Sequence, residues 1–277
     1  MKKIFLTGGT GFVGSHLINK LVAAGHAVYA LRRPGSEPRV KLLRDPIWIE
    51  GNLMTDHSNV LKNCDLLIHL ASASTNPPYA PLSDCIFWNV LAPIKLAELA
   101  LDCGVNEFIV VGSVFEYGDL NEASDGFRLT SPLNPKLSYP TSKAAASIAF
   151  SGLCRERLAK MKILRLFHVF GEGELESRFW PSLKRAAEAG LNFEMSAGEQ
   201  VRDFMNVSEV CDEILRQLDF QAVVMGEPVL KHIASNSPQT LLSFAKFWWK
   251  KFGATGVLKV GEVPYRPNES MRIVSGD

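Results

Sequence analysis

No long apolar run interrupts this sequence. The first one, Ile4 to Leu6 within MKKIFLTGGTGFVG, covers three residues before the glycines begin. A secretory leader needs about 7–15 apolar residues, and nowhere do the ~20 of a membrane span accumulate. An excess of either charge is missing too. Lys and Arg number 30 against 29 Asp and Glu, a formal net charge of +1, which leaves no basic field for nucleic acid and no acidic tail. No cysteine pair is spaced as a metal knuckle or a CxxC redox motif. Cys64, Cys85, Cys103, Cys154 and Cys211 read as buried free thiols, and no metal site is expected. Internal repeats and low-complexity tracts are absent as well. Together these absences exclude a nucleic-acid or membrane partner and predict a cytoplasmic chain that acts on a small molecule.

What is present is alternation. The 277 residues, 47% of them hydrophobic, suffice for one large α/β domain with a smaller part attached. Short apolar strands are predicted at Lys3–Leu6, Ala27–Leu31, Ile47–Glu50, Asp65–Leu70, Glu107–Val111 and Lys162–Leu166. Between them lie helical stretches. Phe12–Ala24 repeats Val13, Leu17, Leu21 and Ala24 on one face and stops at Gly25. A longer run spans Cys85–Cys103, closed by Gly104, and another starts near Tyr139. This pattern predicts a Rossmann-type, doubly wound parallel sheet over residues 1–170. Residues 171–277, with helices near Ser177–Ala189, Ser208–Phe220 and Leu241–Phe252, are expected to form a smaller α/β substrate-binding portion.

The first strand runs into Thr7-Gly8-Gly9-Thr10-Gly11-Phe12-Val13-Gly14. Gly8 and Gly11 permit a tight turn whose backbone N–H groups approach a pyrophosphate, and Gly14 lets helix and strand pack closely. The helix start that follows supplies free donors and a partial positive charge. The second strand ends in Arg32-Arg33, where a cofactor without a 2′-phosphate is usually held by a carboxylate. Guanidinium forks match a phosphate instead, so NADP(H) is expected over NAD(H). The alternative is a pair of solvated surface charges.

Tyr139-Pro140-Thr141-Ser142-Lys143 opens a helix and stacks the phenol and the ammonium on one face. A phenol titrates near 10, and a neighbouring ammonium favours the phenolate. Ser113, just past the fifth strand, offers a hydroxyl to a substrate carbonyl or alcohol. A Ser, Tyr and Lys placed in this way form a proton-transfer site beside a hydride carrier.

These segments resemble the extended short-chain dehydrogenase/reductases, which include nucleotide-sugar epimerases, 4,6-dehydratases and 4-ketoreductases. TGGTGFVG resembles the family's glycine loop, and His69-Leu70-Ala71-Ser72 its segment after the fourth strand. Asn52-Leu53 stands where the family usually has Asp-Leu beside the adenine. Arg165-Leu166-Phe167-His168-Val169-Phe170-Gly171 and Arg202-Asp203-Phe204 resemble two later motifs. The resemblance implies that Gly8, Thr10, Gly11, Phe12 and Val13 cradle the cofactor. Arg32, Arg33, Asn52, Leu53, Leu70, Ala71, Ser72, Asn89, Phe167 and Val169 would add contacts to it, with Tyr139 and Lys143. Ser74, Ser113, His168 and Arg202 would meet the substrate, Arg202 at its diphosphate. Ser113, Tyr139 and Lys143 would be catalytic.

The pattern also departs from the family. Dehydratases carry Asp-Glu directly after the catalytic hydroxyl; here Val114 and Phe115 follow Ser113, and neither moves a proton. His168 replaces a usual asparagine and is either a substrate contact or a packed histidine. The expected activity is NADP(H)-dependent reduction of a nucleotide-linked 4-keto-6-deoxy sugar, as used in polysaccharide or natural-product pathways. A 4-epimerase with tightly held NAD and a non-catalytic NADP(H)-binding regulator are the alternatives. The resemblance further implies a homodimer formed by the helices at Cys85–Cys103 and Tyr139–Ala159. Ile86, Val90, Ile94, Ile148 and Leu153 are candidate contacts there, unless they face the sheet.

Overall fold

The computed structural model describes residues 1–119, 125–267 and 269–277. Seven strands build the main sheet: β1 (Lys3–Thr7), β2 (Ala27–Arg32), β3 (Ile47–Glu50), β4 (Leu66–His69), β5 (Glu107–Ser113), β6 (Lys160–Leu166) and β11 (Val229–Ile233). They lie in the order β11-β6-β5-β4-β1-β2-β3, and every pairing is parallel. The chain steps from β1 to β2 and β3, then returns to the other side of β1 for β4. That reversal opens a crevice between the carboxyl ends of β1 and β4, the place where such sheets bind ligands. A sheet covered on both faces needs strands apolar on both sides, and every residue of β4 is buried.

Each face carries its own core. Helix α1 (Phe12–Ala23) packs on one face with α7 (Val207–Arg216), around Leu17, Ile18, Leu21, Val210 and Ile214. The other face takes α2 (Ser58–Leu61), α4 (Ala92–Asp102) and α5 (Ser138–Arg157), around Leu96, Ala100, Phe150 and Leu153. Gly25 ends α1 with φ of +81°, a left-handed turn that suits glycine. The predicted helix at Cys85–Cys103 is interrupted. Helix α3 (Leu82–Ile86) passes through a π turn, Phe87–Leu91, before α4 begins. Pro93 lacks the N–H that a regular α-turn would donate to the Asn89 carbonyl, which permits the wider turn.

Elements beyond residue 170 are shared between two layers. Helix α7 and strand β11 belong to the sheet layer, so residue 170 does not divide sheet elements from the rest. Strand β7 (His168–Phe170) pairs with β10 (Phe204–Asn206). Strand β9 (Val201–Arg202) lies between β12 (Gln239–Thr240) and β14 (Arg272–Ile273). Helices α6 (Phe179–Glu188) and α8 (Leu241–Lys251) enclose Leu183, Met195 and Ala245 beside β8 (Phe193–Met195) and β13 (Leu258–Val260). Phe204 and Phe244 stack with ring centres 4.1 Å apart, joining this unit to β10.

Candidate active site

The glycine turn sits at the crevice. Gly11 N donates to Gly8 O at 2.9 Å and closes the turn. Gly8 has φ of +76°, and a Cβ there would lie 2.6 Å from Ala71 N; one on Gly14 would lie 2.0 Å from Gly8 O. Both positions therefore require glycine. The first turn of α1 has no capping side chain, so its N–H groups stay available to an anion. Thr10, Phe12 and Val13 line this start. Across the crevice, Thr7 Oγ1 shares a hydrogen bond with His69 Nδ1 at 2.8 Å and accepts one from Ala71 N at 3.3 Å. The loop from Leu70 to Ser72 is thereby tied to the end of β1. This cradle fits a dinucleotide pyrophosphate.

Arg32 closes the far end of β2. Its guanidinium lies over the Trp48 ring, 5.1 Å from the centroid, and donates to Glu50 Oε1 at 3.2 Å. Its Nε is buried with no hydrogen-bond partner, and Arg33 is exposed. Glu50 is 59% exposed, so the pair is weak. Asn52 is turned into its own loop, where Oδ1 accepts from Met54 N at 2.8 Å. Leu53 is buried in the core.

Ser113, Tyr139 and Lys143 converge at the end of β5. The side-chain hydroxyls of Ser72 and Ser113 act on the Tyr139 phenol and favour its charged form. Burial pushes this phenol up to about 12 against the pull of both hydroxyls. Lys143 Nζ donates to Val111 O at 2.7 Å, and burial holds its ammonium below the ordinary lysine range. The expected lowering of the phenol by its neighbouring ammonium is not present in the free protein, because desolvation dominates. Ser72, expected at the cofactor, also reaches the phenol, a contact that no local spacing announces. Asn89 anchors the neighbouring loop. Its Oδ1 accepts from Ala73 N at 2.7 Å, and its Nδ2 donates to Ala73 O at 3.1 Å and Ser142 Oγ at 2.9 Å.

Beside His168 lie two arginines, each paired with a carboxylate: Arg178 with Glu174 and Arg202 with Glu269. Burial, Arg202 and Arg178 together hold His168 well below 6.5, so it is neutral. The residue as a whole is half-buried, and its Nδ1 is buried without a partner. Arg202 is engaged by Glu269 at 2.8 Å and by the carbonyls of Val201 and Ser270 at 3.0 and 2.5 Å. Ser74 is turned inward to its own loop and accepts from Ala80 N at 2.7 Å. Phe167 is buried and Val169 half-buried. The sequence reading missed Tyr79, whose ring centre lies 5.5 Å from that of Tyr139. It also missed Arg178, which donates to Asn76 Oδ1 at 3.1 Å, and Arg266, whose charge reaches Tyr79. Each lies in a loop or at a helix start with no periodic pattern to mark it.

Among the described residues, no group of three or more His, Cys, Asp or Glu is arranged to hold a metal. None of their helices is long and apolar enough to cross a membrane.

The model of the NAD dependent epimerase/dehydratase family matches residues 4–228. A CDP-abequose synthase from Salmonella muenchen is 27% identical over 78% of this chain and 70% of its own length. A dTDP-4-dehydro-6-deoxy-D-allose reductase from Streptomyces bikiniensis is 26% identical over 79% of this chain and 73% of its own. Other curated relatives are longer, and the chain covers 61% of one of them. Among solved structures, MoeE5 in complex with UDP-glucose and NAD superposes with a TM-score of 0.81 at 25% identity, covering 99% of this chain and 89% of that one. The family match takes in the glycine turn, the loop after β4, the Tyr139 group and α7, and on that extent this chain belongs to the NAD dependent epimerase/dehydratase family.

Proposed function

We propose that this enzyme is an NADP(H)-dependent reductase of a nucleotide-linked 4-keto-6-deoxy sugar. The observation that carries the reading is the meeting of Ser113, Tyr139 and Lys143 at the end of β5, with Lys143 Nζ bonded to Val111 O and the Ser72 and Ser113 hydroxyls acting on the buried phenol. A phenol pushed up to about 12 is protonated throughout neutral pH, the state from which a reduction starts. The dinucleotide would supply the hydride. Ser113 polarises the carbonyl, and Tyr139 donates its proton to the carbonyl oxygen as negative charge develops there. Lys143, one turn further along α5, holds the ribose and stabilises the phenolate left behind. Val114 is buried and Phe115 packs against His168, so neither position offers the second acid or base of a dehydration. Arg178, Arg202 and Arg266 give the substrate side the charge that suits a nucleoside diphosphate. The relative named as a 4-dehydro-6-deoxy-allose reductase is consistent with this reaction.

Preference for NADP(H) rests on Arg32, whose buried Nε lacks a partner. A second reading has one observation in its favour. The Glu50 carboxylate beside Arg32 can accept ribose hydroxyls, as suits a retained NAD and an epimerase; MoeE5 was solved with NAD. As part of the proposal, the enzyme works in the cytoplasm as a homodimer.

One experiment separates these readings. Wild type and Arg32→Asp are supplied with NADPH or NADH and a panel of CDP-, dTDP- and UDP-linked 4-keto-6-deoxy sugars. Net oxidation of NADPH is expected, preferred over NADH by about tenfold or more, with the preference erased in Arg32→Asp. Interconversion of sugar epimers without net cofactor turnover would overturn the reductase in favour of the epimerase.

A further inference from the structure

Glu116 has no part in the chemistry above, yet it sits directly behind it. Its side chain has no exposed surface. Oε1 accepts from Ser113 N at 2.8 Å, while Oε2 accepts from Ser147 Oγ at 2.7 Å and Arg165 Nε at 2.8 Å. A Cβ on residue 112 would stand 2.4 Å from Oε1, so Gly112 makes room for the carboxylate under the end of β5. Tyr139, Lys143 and Ser147 recur every four residues and form one stripe of α5. The carboxylate bonds the last of the three and the backbone of the catalytic serine. It thus ties the helix that carries the phenol to the strand that carries the hydroxyl.

We propose that Glu116 is a positioning residue of this active site. Its carboxylate fixes Ser113 and the Tyr139–Lys143–Ser147 stripe in one register, and its negative charge supports the Lys143 ammonium that holds the dinucleotide.

The charged surroundings are few. Arg165 on β6 pairs with Glu116 directly. Lys143 and Tyr139 face it from α5. Tyr117, in the same short turn, accepts from Arg165 Nη1 at 2.7 Å and shares a hydrogen bond with His232 Nε2 at 2.6 Å. His232 on β11 feels Asp277 and Asp203 but is pushed down to about 4, chiefly by burial, and is uncharged near neutrality. Around the carboxylate, then, one anion faces two cations, Arg165 and Lys143. Neutralising Glu116 leaves both cations unopposed in a buried site, and Lys143 is the one able to lose its proton there. Burial already disfavours the Lys143 ammonium, and Glu116 opposes that effect.

The inference rests on Lys143 holding the cofactor but not on the identity of the sugar, so dinucleotide binding alone can test it. NADPH and NADH affinity is titrated across alkaline pH for wild type, Glu116→Gln, Glu116→Asp and Ser147→Ala. The midpoint at which affinity is lost is expected to fall by about one pH unit in Glu116→Gln. It should recover in Glu116→Asp and stay in place in Ser147→Ala, which removes one hydrogen bond but no charge. If Glu116→Gln does not fold, the double variant with Arg165→Gln removes the guanidinium that would otherwise lose its partner and is expected to show a smaller shift in the same direction. Weaker binding at every pH with an unmoved midpoint would reduce Glu116 to a packing group and overturn the proposal. A wild type that binds neither dinucleotide would instead refute the cofactor reading on which the proposed function stands.

Discussion

His69 ends β4 with its ring centre 5.9 Å from that of Phe150 and its Nδ1 bonded to Thr7. Burial pushes it down to about 3, and the nearby Lys143 charge acts in the same direction. In the unfolded chain it titrates near 6.5. Between those values the unfolded state binds a proton that the folded state refuses, so this contribution is intact above about pH 6.5 and is lost as pH falls toward 3. The loss is about 1.4 kcal/mol per unit, or on the order of 3 kcal/mol by pH 4.5. Urea unfolding at pH 7 and pH 4.5 checks this: His69→Gln should lose less stability than wild type on acidification. Equal losses would mean that His69 is not the group that titrates. Ser113, Tyr139 and Lys143 were readable because a strand end and a four-residue helical spacing are local features. Ser72 was read as a cofactor contact, but its place on the phenol depends on a fold that brings residues 72 and 139 together.

The helical run from α3 through the π turn to α4 shows how one irregular turn serves a site. The turn puts Asn89 inside, 2% exposed, while Phe87, Trp88 and Leu91 point outward. Inside, the Asn89 amide bonds both backbone groups of Ala73 and the Ser142 hydroxyl of α5. Asn89→Ala leaves both backbone groups of Ala73 unpaired, while Ser142 Oγ keeps its bond to Tyr139 O, and is expected to destabilise the fold by about 2–3 kcal/mol. Because the freed loop carries Ser72, dinucleotide binding should weaken as well. Denaturation and cofactor titration of the variant report the two effects, and unchanged values in both would show that the loop holds without this anchor. Apolar periodicity indicated a helix across Cys85–Cys103, but it carries no information on a single widened turn. That turn follows from Pro93 and from the hydrogen bonds Asn89 gains by facing inward.

At the scale of the whole molecule, the outer face of the π turn and α5 exposes apolar side chains. Ile148 is 64% exposed, and Phe87, Trp88 and Leu91 are 37–44% exposed. Of the contacts expected for a dimer, Leu153 lies in the core at 6% exposure, and Val90 and Ile94 pack against that core. They face the sheet because the helices spend one apolar stripe on it. Of the two remaining expected contacts, Ile86 is half-buried and Ile148 lies in the open, now joined by the three exposed residues of the π turn. An exposed aromatic patch of this kind suits a second copy of the chain. Light scattering should find a dimer for wild type and a monomer for Ile148→Glu; a wild-type monomer at all concentrations would refute the dimer.

The sequence alone determined the strand and helix alternation, the glycine turn and the Ser–Tyr–Lys group. Each depends on backbone preference or on neighbours within a helical turn, and such forces act over a few residues. Tertiary structure decided the rest. The parallel register of β2 and β3 set Glu50 against Arg32 and so gave that guanidinium a carboxylate partner. The packing of β5, β6 and α5 brought Glu116 to an arginine 49 residues away. These pairings depend on the order of the whole sheet, because a long-range contact exists only after every crossover between its partners has been made.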